Sequence, residues 1–192
     1  MSIGLNYIDT YHRSGLYPLQ LPTGIGLEAA GIIKEIGSNV SNFSVGDKVA
    51  YAAAPLGSYS THRNYPSKNI VKVPDNIDLE IISSAMTKGM TTFYLLHKTY
   101  VPKKGETVLF HAAAGGVGQF FCQWAKSLGL KVIGTVGSHD FQLFQLLLIL
   151  NFLPTDKRIA QHLLLLREIK LFLPFLEHMF CAINKKLSYL LS

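Results

Sequence analysis

Hydrophobic and polar positions change their spacing at about residue 84 of this chain. Before that point, short apolar stretches at 31–36, 48–54 and 69–74 are separated by turn-forming residues such as Gly, Asn, Asp and Pro. Short apolar runs bounded by such residues are typical of β-strands. The pattern therefore predicts a β-rich domain over residues 1–83.

Residues 84–100 have the spacing of a helix. The side chains that recur on one helical face are Met86, Met90, Phe93, Tyr94 and His97. The stretch 106–113 then predicts a strand, residues 118–129 a helix, and 131–136 a second strand. A strand, a glycine-rich turn, a helix and a strand make one β-α-β unit, so residues 84–137 are predicted to begin a doubly wound parallel sheet.

The composition of residues 138–192 differs from that of the rest of the chain. All 16 glycines lie in residues 1–137. Leucine dominates the remainder, with runs at 146–148 and 163–166. This leucine-rich tail predicts helices that break near its prolines, and it does not continue the alternation of strand and helix.

The glycine-rich turn, HAAAGGVG, has the order of a dinucleotide-binding fingerprint. Ala113 stands at its first glycine position, Gly115 at the second and Gly118 at the third. Gly115 would let the backbone approach a pyrophosphate, and Gly118 would let the helix pack close to the strand. The amides at the helix start, from Gly116 and Val117 onward, would face the negative charge. A turn that only reverses the chain remains the alternative interpretation.

The end of the second strand bears on the choice of cofactor. NAD-specific sites place an acidic residue there to bind the ribose hydroxyls. This chain has Gly137 and Ser138 at that point, and its first carboxylate is Asp140. A small hydroxylated residue accommodates a 2′-phosphate, so the sequence favours NADPH. Ser138 as a simple turn residue is the alternative.

Charge and cysteine content exclude several classes of protein. The net charge of +6 suits an anionic ligand, but the cations are scattered, which argues against a nucleic-acid partner. Cys122 and Cys181 form no metal-binding spacing, and they fit a reducing, cytoplasmic setting. The start of the chain does not resemble a signal peptide. The uncharged, leucine-rich stretch 141–155 is shorter than the ~20 residues of a membrane span, so no membrane association is expected.

Several motifs together resemble one enzyme family. They are NYIDTYHRSGLY at 6–17, GLEAAGIIKEIGSNV at 26–40, VGDKVAY at 45–51, and HAAAGGVG followed by QWAKSLG up to Gly129. In this order they resemble the zinc-free NADPH:quinone oxidoreductases of the medium-chain dehydrogenase superfamily. The resemblance implies an α/β protein with a partial GroES-like β-domain, an incomplete Rossmann-type domain and, beyond them, the helical tail.

The resemblance also implies site residues. Those that would line the nicotinamide and quinone site are Asn6, Tyr7, Ile8, Asp9, Thr10 and Tyr11. Those on the following helix that would approach the cofactor are Lys88, Thr91 and Tyr94. Asn6 and Tyr11 are the expected catalytic pair. For the others simpler interpretations stay open: Tyr7 and Ile8 as core, Asp9 as a helix cap, and Tyr94 as helix packing.

A metal site is not expected. Zinc-dependent relatives place a cysteine where Asn6 stands and a histidine where Leu27 stands, and neither replacement binds zinc. Only Glu28 of that motif remains, and it is interpreted as a structural acid near the site.

The resemblance is incomplete at both ends of the chain. Strands that precede Ile3 in the relatives are missing, and so is the sheet that follows Ser138, together with a lysine that holds the 2′-phosphate. Two hypotheses follow: an NADPH-dependent quinone reductase that is truncated, or a non-catalytic remnant with residual nucleotide binding. The resemblance implies a homodimer for intact relatives but does not settle the oligomeric state of this chain.

Overall fold

A computed structural model describes residues 1–137 and, in the later part of the chain, the backbone of two short strands at 151–154 and 170–171. The chain divides into two compact units, Met1–Met90 and Thr91–Ser192. The division lies inside a helix, later in the chain than the predicted limit at residue 83. The predicted domain boundaries therefore remain a prediction.

The first unit is an antiparallel sheet with helices. Its elements are β1 (Ser2–Gly4), α1 (Tyr7–Ser14), β2 (Glu28–Ile32), β3 (Lys48–Ala52), a 3₁₀ turn (Ser67–Asn69), β4 (Val71–Lys72) and the greater part of α2 (Leu79–Tyr94). The strands pair in the order β1-β2-β3-β4. Apolar side chains from α2 and the segment before it, including Ile82 and Met86, pack on Ala30, Ala50 and Val73 of this unit.

Strand β2 begins and ends earlier than the apolar stretch 31–36 predicts. Its last residue, Ile32, pairs with Lys48, the first residue of β3. Beyond that pair the partner strand has ended, and the next backbone contact is the bond from the N–H of Ile33 to the carbonyl of Asp47. Apolar character alone therefore overestimated the length of this strand on its C-terminal side.

The second unit contains the predicted β-α-β arrangement. It consists of the end of α2, a π-helical turn (Leu95–Thr99), β5 (Thr107–Phe110), α3 (Gly116–Ser127), β6 (Lys131–Val136), β7 (Asn151–Pro154) and β8 (Lys170–Leu171). Phe121, Cys122 and Ala125 of α3 are buried against Val108 of β5 and Val132 of β6. The buried face of α3 thus covers the two central strands of a parallel sheet.

Two segments of the leucine-rich tail differ from the expected helical structure. Strand β7 pairs in parallel with β6, and β8 pairs in parallel with β5. The strand order β7-β6-β5-β8 equals the order 3-2-1-4 of a doubly wound sheet. The open edges of a parallel sheet leave backbone N–H and C=O groups unpaired, and an added strand satisfies them whatever its helical periodicity. The rest of the tail lies outside the described residues.

No helix among residues 1–137 is long and apolar enough to cross a membrane.

Gly118 is the position of closest approach between α3 and the turn before it. A Cβ at Gly118 would lie 2.5 Å from the carbonyl oxygen of Ala113 and 2.6 Å from that of Ala112. These are backbone atoms that cannot rotate away. The third glycine of the fingerprint therefore lets α3 pack closely against the turn that follows β5.

We expect Gly118→Ala to lower the free energy of unfolding by about 1–3 kcal/mol, because the added methyl group overpacks the turn. Gly89→Ala is the matched control, since Gly89 lies in α2 and a Cβ added there would have no atom within 4 Å. That change should raise stability by about 0.5–1 kcal/mol through helix propensity. Urea unfolding of the three proteins measures both effects. Equal stability of Gly118→Ala and the parent chain would contradict the packing described for α3.

Candidate functional site

The N-terminus of α1 is held by a buried carboxylate. Asn6 is the residue before the helix, and its backbone N–H donates to Oδ2 of Asp9 at 3.0 Å. The hydroxyl of Tyr59 donates to the same oxygen, also at 3.0 Å. Asp9 is only 3% exposed. Asp9 is therefore a cap of the helix, which is one of the two interpretations of this residue in the sequence. It also accepts a hydrogen bond from Tyr59.

A second buried carboxylate binds the side chain of Asn6. The amide nitrogen Nδ2 of Asn6 donates to Oε2 of Glu28, and the backbone N–H of Thr87 donates to Oε1 at 2.9 Å. The side chain of Glu28 is 0% exposed. Glu28 lies opposite Gly4 in the β1–β2 pairing, and a Cβ at Gly4 would lie 2.5 Å from Oε2. The missing side chain of Gly4 thus leaves room for the carboxylate.

The other predicted residues of α1 form an aromatic surface beside Asn6. Tyr7 is 78% exposed, and its ring centroid lies 5.6 Å from that of the half-buried Tyr11. Tyr11 also contacts Tyr17 at 5.3 Å between centroids. The hydroxyl of Thr10 donates to the carbonyl of Tyr7 at 2.7 Å. Ile8 is half-buried. The exposure of Tyr7 contradicts its interpretation as a core residue, and the ligand contacts of this helix stay a prediction.

The three predicted residues of α2 are divided between the two units. Lys88 belongs to the first unit, where its Nζ donates to the carbonyl of Leu5 at 3.4 Å. Thr91 and Tyr94 belong to the second unit, where Thr91 is half-buried and Tyr94 is exposed. The structure therefore places Lys88 close to the segment that leads into α1, while the cofactor contacts of all three residues stay a prediction.

The ring of Tyr59 lies over a glycine. A Cβ at Gly26, whose φ is +97°, would lie 2.5 and 2.8 Å from two ring carbons of Tyr59. Burial raises the pKa of Tyr59, and the hydrogen bond and negative charge of Asp9 raise it further. Because Tyr59 and Asn6 donate to one oxygen of Asp9, the Tyr59 hydroxyl lies close to the backbone of Asn6.

In the second unit, the glycine-rich turn connects β5 to α3. Gly115 precedes the first helical residue, no side chain caps this helix, and its first turn has no acidic residue. The N–H of Ala113 donates to the carbonyl of Thr135 at 3.0 Å, which ties the turn to the end of β6. Uncapped amides at a helix start favour a bound anion. Gly115 is exposed, and only the carbonyl of Ala112 lies near the position of its absent Cβ.

The residue with a left-handed backbone in this turn is Ala112, with a φ of +54°. This conformation costs about 1–2 kcal/mol in an alanine, because Cβ approaches the following carbonyl oxygen. Ala113, at the first fingerprint position, is fully buried. The turn is therefore held in a strained form by its bonds to β6 and α3.

The remaining predicted cofactor residues surround this turn. Gly116 is exposed at the helix start, and Val117 packs on the apolar core of the unit. Gly137 is exposed directly after β6, and Ser138 lies outside the described residues. His111, at the end of β5, contacts the hydroxyl of Thr135 through Nδ1 at 2.9 Å. The carboxyl ends of β5 and β6 thus meet at one edge of the sheet.

Tyr59 and the amide of Thr87 could not be identified from the sequence as part of the site. Tyr59 is 50 positions from Asp9, and Thr87 is 59 positions from Glu28, so no local spacing connects them. The one signal was Glu28 itself, a charged residue inside an apolar strand. Such a residue requires hydrogen-bond donors from elsewhere in the fold.

Among residues 1–137, no group of three or more His, Cys, Asp or Glu side chains is arranged to hold a metal ion. Within this part of the chain, Asn6 and Glu28 bind each other.

The comparisons with known proteins agree with this geometry. Residues 1–75 match the GroES-like domain of alcohol dehydrogenases. A quinone oxidoreductase of Pseudomonas aeruginosa is 57% identical over 140 residues, which are 72% of this chain and 43% of that protein. The solved structure of the Escherichia coli quinone oxidoreductase complexed with NADPH has a TM-score of 0.75 and 46% identity. The match spans 82% of this chain and 48% of the E. coli protein.

The matched part of the chain belongs to the quinone oxidoreductases of the medium-chain dehydrogenase superfamily. This confirms the family resemblance and the α/β fold, with a GroES-like domain and a partial Rossmann-type domain. A 2-haloacrylate reductase of a Burkholderia species is also similar, with 46% identity over 145 residues, 72% of this chain and 44% of that enzyme. The chain spans less than half the length of these relatives.

We expect the raised pKa of Tyr59 to make stability depend on pH in alkaline solution. In the unfolded chain, a tyrosine loses its proton near pH 10, before Tyr59 does so in the folded protein. Deprotonation therefore stabilises the unfolded state first, and the free energy of unfolding falls as the pH rises above about 10. Tyr59→Phe should make this fall smaller.

Urea unfolding of the parent chain and Tyr59→Phe across this pH range measures the difference. The variant loses the bond to Asp9 at every pH, so the slope with pH, rather than the absolute stability, reports the pKa. Parallel pH profiles for the two proteins would contradict the raised pKa.

Proposed function

We propose that this chain is an NADPH-dependent oxidoreductase of the quinone-reductase type. The observation that carries the proposal is the strand–turn–helix arrangement of the second unit, with an exposed Gly115 and an uncapped start of α3. Such a turn suits a pyrophosphate, because backbone amides and the helix dipole face the ligand. The family supplies the reaction type, and the E. coli relative was solved with NADPH.

A bound NADPH would supply a hydride to an electron-poor ring, and the protein would supply binding and orientation. The residues that would hold it in the second unit are Gly115, Gly116, Val117 and Gly118, with Gly137 and Ser138 toward the ribose. The absence of a carboxylate directly after β6 favours a phosphorylated ribose over the ribose of NADH. Thr91 and Tyr94 are proposed as additional contacts.

In the first unit we propose that Asn6 and Tyr11 face the quinone. A quinone needs no nucleophile and no metal from the protein, since it accepts the hydride directly. Negative charge then grows on a carbonyl oxygen, and an amide or phenol hydrogen stabilises that charge. Tyr7, Ile8 and Thr10 are proposed to complete the surface, while Asp9 acts through Asn6 and Tyr59.

A substrate other than a quinone would use the same chemistry. The Burkholderia relative is named for the reduction of 2-haloacrylate, whose double bond is also electron-poor. Quinone reduction is preferred here because the higher identity belongs to a quinone oxidoreductase. The proposed cytoplasmic location agrees with the buried free thiol of Cys122. A homodimer remains a proposal taken from the family.

The alternative function is nucleotide binding without catalysis. It agrees with the absence, directly after Ser138, of the lysine that the family places there. A single charge-assisted contact contributes about 1.5–3 kcal/mol, so its loss weakens binding by roughly tenfold or more.

We expect NADPH to bind this chain weakly and Gly115→Val to reduce the affinity further, because the valine side chain would occupy the space of the pyrophosphate. Gly37→Val is the matched control, since a Cβ at Gly37 meets only Val40, at 3.9 Å. Fluorescence titration with NADPH measures the affinities, and circular dichroism checks that each variant is folded. Unchanged affinity in folded Gly115→Val would show that the turn does not bind the pyrophosphate.

Turnover separates the two candidate functions. With NADPH and 1,4-benzoquinone we expect a rate well below the ~10 per second of a typical enzyme. Loss of NADPH absorbance in a monodisperse preparation measures it. A slow rate that exceeds the uncatalysed reaction supports the reductase, and a rate equal to it supports the non-catalytic alternative. A rate near the typical value would contradict the expected low turnover.

A further inference from the structure

Two buried carboxylates converge on Asn6 from different elements. Asp9 accepts the backbone N–H of Asn6, whereas Glu28 accepts its side-chain amide. Glu28 is in turn fixed by the backbone N–H of Thr87 in α2. Asp9 thus holds the backbone of Asn6, and Glu28 holds the side-chain amide that would meet a substrate.

The contact with Glu28 determines which end of the Asn6 amide points inward. An asparagine side chain has two N–H hydrogens at one end and a carbonyl oxygen at the other. A carboxylate only accepts hydrogen bonds, so it selects the nitrogen end. One hydrogen of Nδ2 is committed to Oε2 of Glu28, and the orientation of the second hydrogen and of Oδ1 follows from it.

The surroundings of Glu28 leave its carboxylate only one way to bind Asn6, through the nitrogen of the amide. Both of its oxygens receive an N–H group, one from Asn6 and one from Thr87. The side chain has no exposed surface, so water does not replace either donor. Oε2 occupies the space that a side chain at position 4 would fill, and the two N–H groups hold the carboxylate there. A flipped Asn6 would bring its carbonyl oxygen against Oε2, and two acceptors would face each other.

We propose that Glu28 is a positioning residue that sets the donor orientation of Asn6 for the bound quinone. This rests on the proposed function, in which the second Nδ2 hydrogen donates to the carbonyl oxygen that gains charge during hydride transfer. A carbonyl in its place would repel that charge. Glu28 itself is buried and acts only through Asn6.

A double-mutant cycle tests the coupling without any ligand. Asp caps helices as well as Asn does, so Asn6→Asp costs α1 little as a cap. The new carboxylate would, however, face Glu28, and we expect a marked fall in the unfolding midpoint. Glu28→Gln supplies an N–H to that carboxylate, so the double variant should unfold at a higher midpoint than Asn6→Asp alone. Additive losses would show that the two side chains do not interact, and they would overturn the proposal.

Quinone binding tests the positioning role. We expect Glu28→Gln, which allows the Asn6 amide to flip, to weaken binding of 2-methyl-1,4-naphthoquinone about tenfold, as a lost hydrogen bond would. NADPH affinity should not change. The matched control is Glu80→Gln, which removes an exposed carboxylate at the start of α2. Tyrosine fluorescence quenching of the folded proteins measures quinone binding.

The outcomes distinguish this inference from the proposed function. A parent chain that binds neither NADPH nor the quinone contradicts the proposed function, and it therefore also contradicts the positioning role. A parent chain that binds the quinone no better than folded Glu28→Gln contradicts the positioning role alone. A tenfold loss that is confined to the quinone, with Glu80→Gln unchanged, supports it.

Discussion

A carboxylate inside an apolar strand must receive hydrogen bonds, and in the first unit this requirement connects three elements. Glu28 lies in β2 and obtains its donors from Asn6, at the start of α1, and from Thr87, in α2. Leaving a buried hydrogen-bonding group without its partner typically costs ~1–3 kcal/mol, and more when the group is charged. The positions of both helices relative to the sheet in this unit are therefore coupled to one side chain. The side-chain amide of Asn6 supplies one of these donors.

The sequence predicted the elements better than their connections. Alternation of strand, turn, helix and strand over residues 106–136 was recovered because each element has its own periodicity. The need for a glycine at position 118 was also predicted, since a side chain there would meet the backbone of Ala112 and Ala113, while the cofactor contacts of the fingerprint stay a prediction. The buried pairs of Glu28 with Thr87 and of Asp9 with Tyr59 were not. They join residues far apart in the chain, and only the folded sheet brings them together.

The tail shows a different limit of sequence patterns. Leucine-rich periodicity predicted helix, yet residues 151–154 and 170–171 pair with β6 and β5 as parallel strands. Secondary structure at these places follows the open edges of the sheet, which offer backbone hydrogen bonds to any neighbouring segment. The side-chain pattern of the tail does not predict this pairing, because the unpaired backbone groups belong to the edge strands and not to the tail. The same reasoning explains why β2 ends where its partner ends and not where its apolar residues do.

Strain in the glycine-rich turn follows from its attachment at both ends. Ala113 is bonded to the carbonyl of Thr135 in β6, and Gly118 fixes α3 against the same turn. Ala112, between β5 and these anchors, takes the left-handed conformation that completes the path. Strained backbone persists where the surrounding structure determines it, and it is often found where a ligand binds. In this turn the anchors leave Gly115 and Gly116 exposed at the helix start. The strain at Ala112 therefore accompanies an arrangement in which the helix amides face outward, and an anion such as a pyrophosphate is the ligand that this arrangement favours.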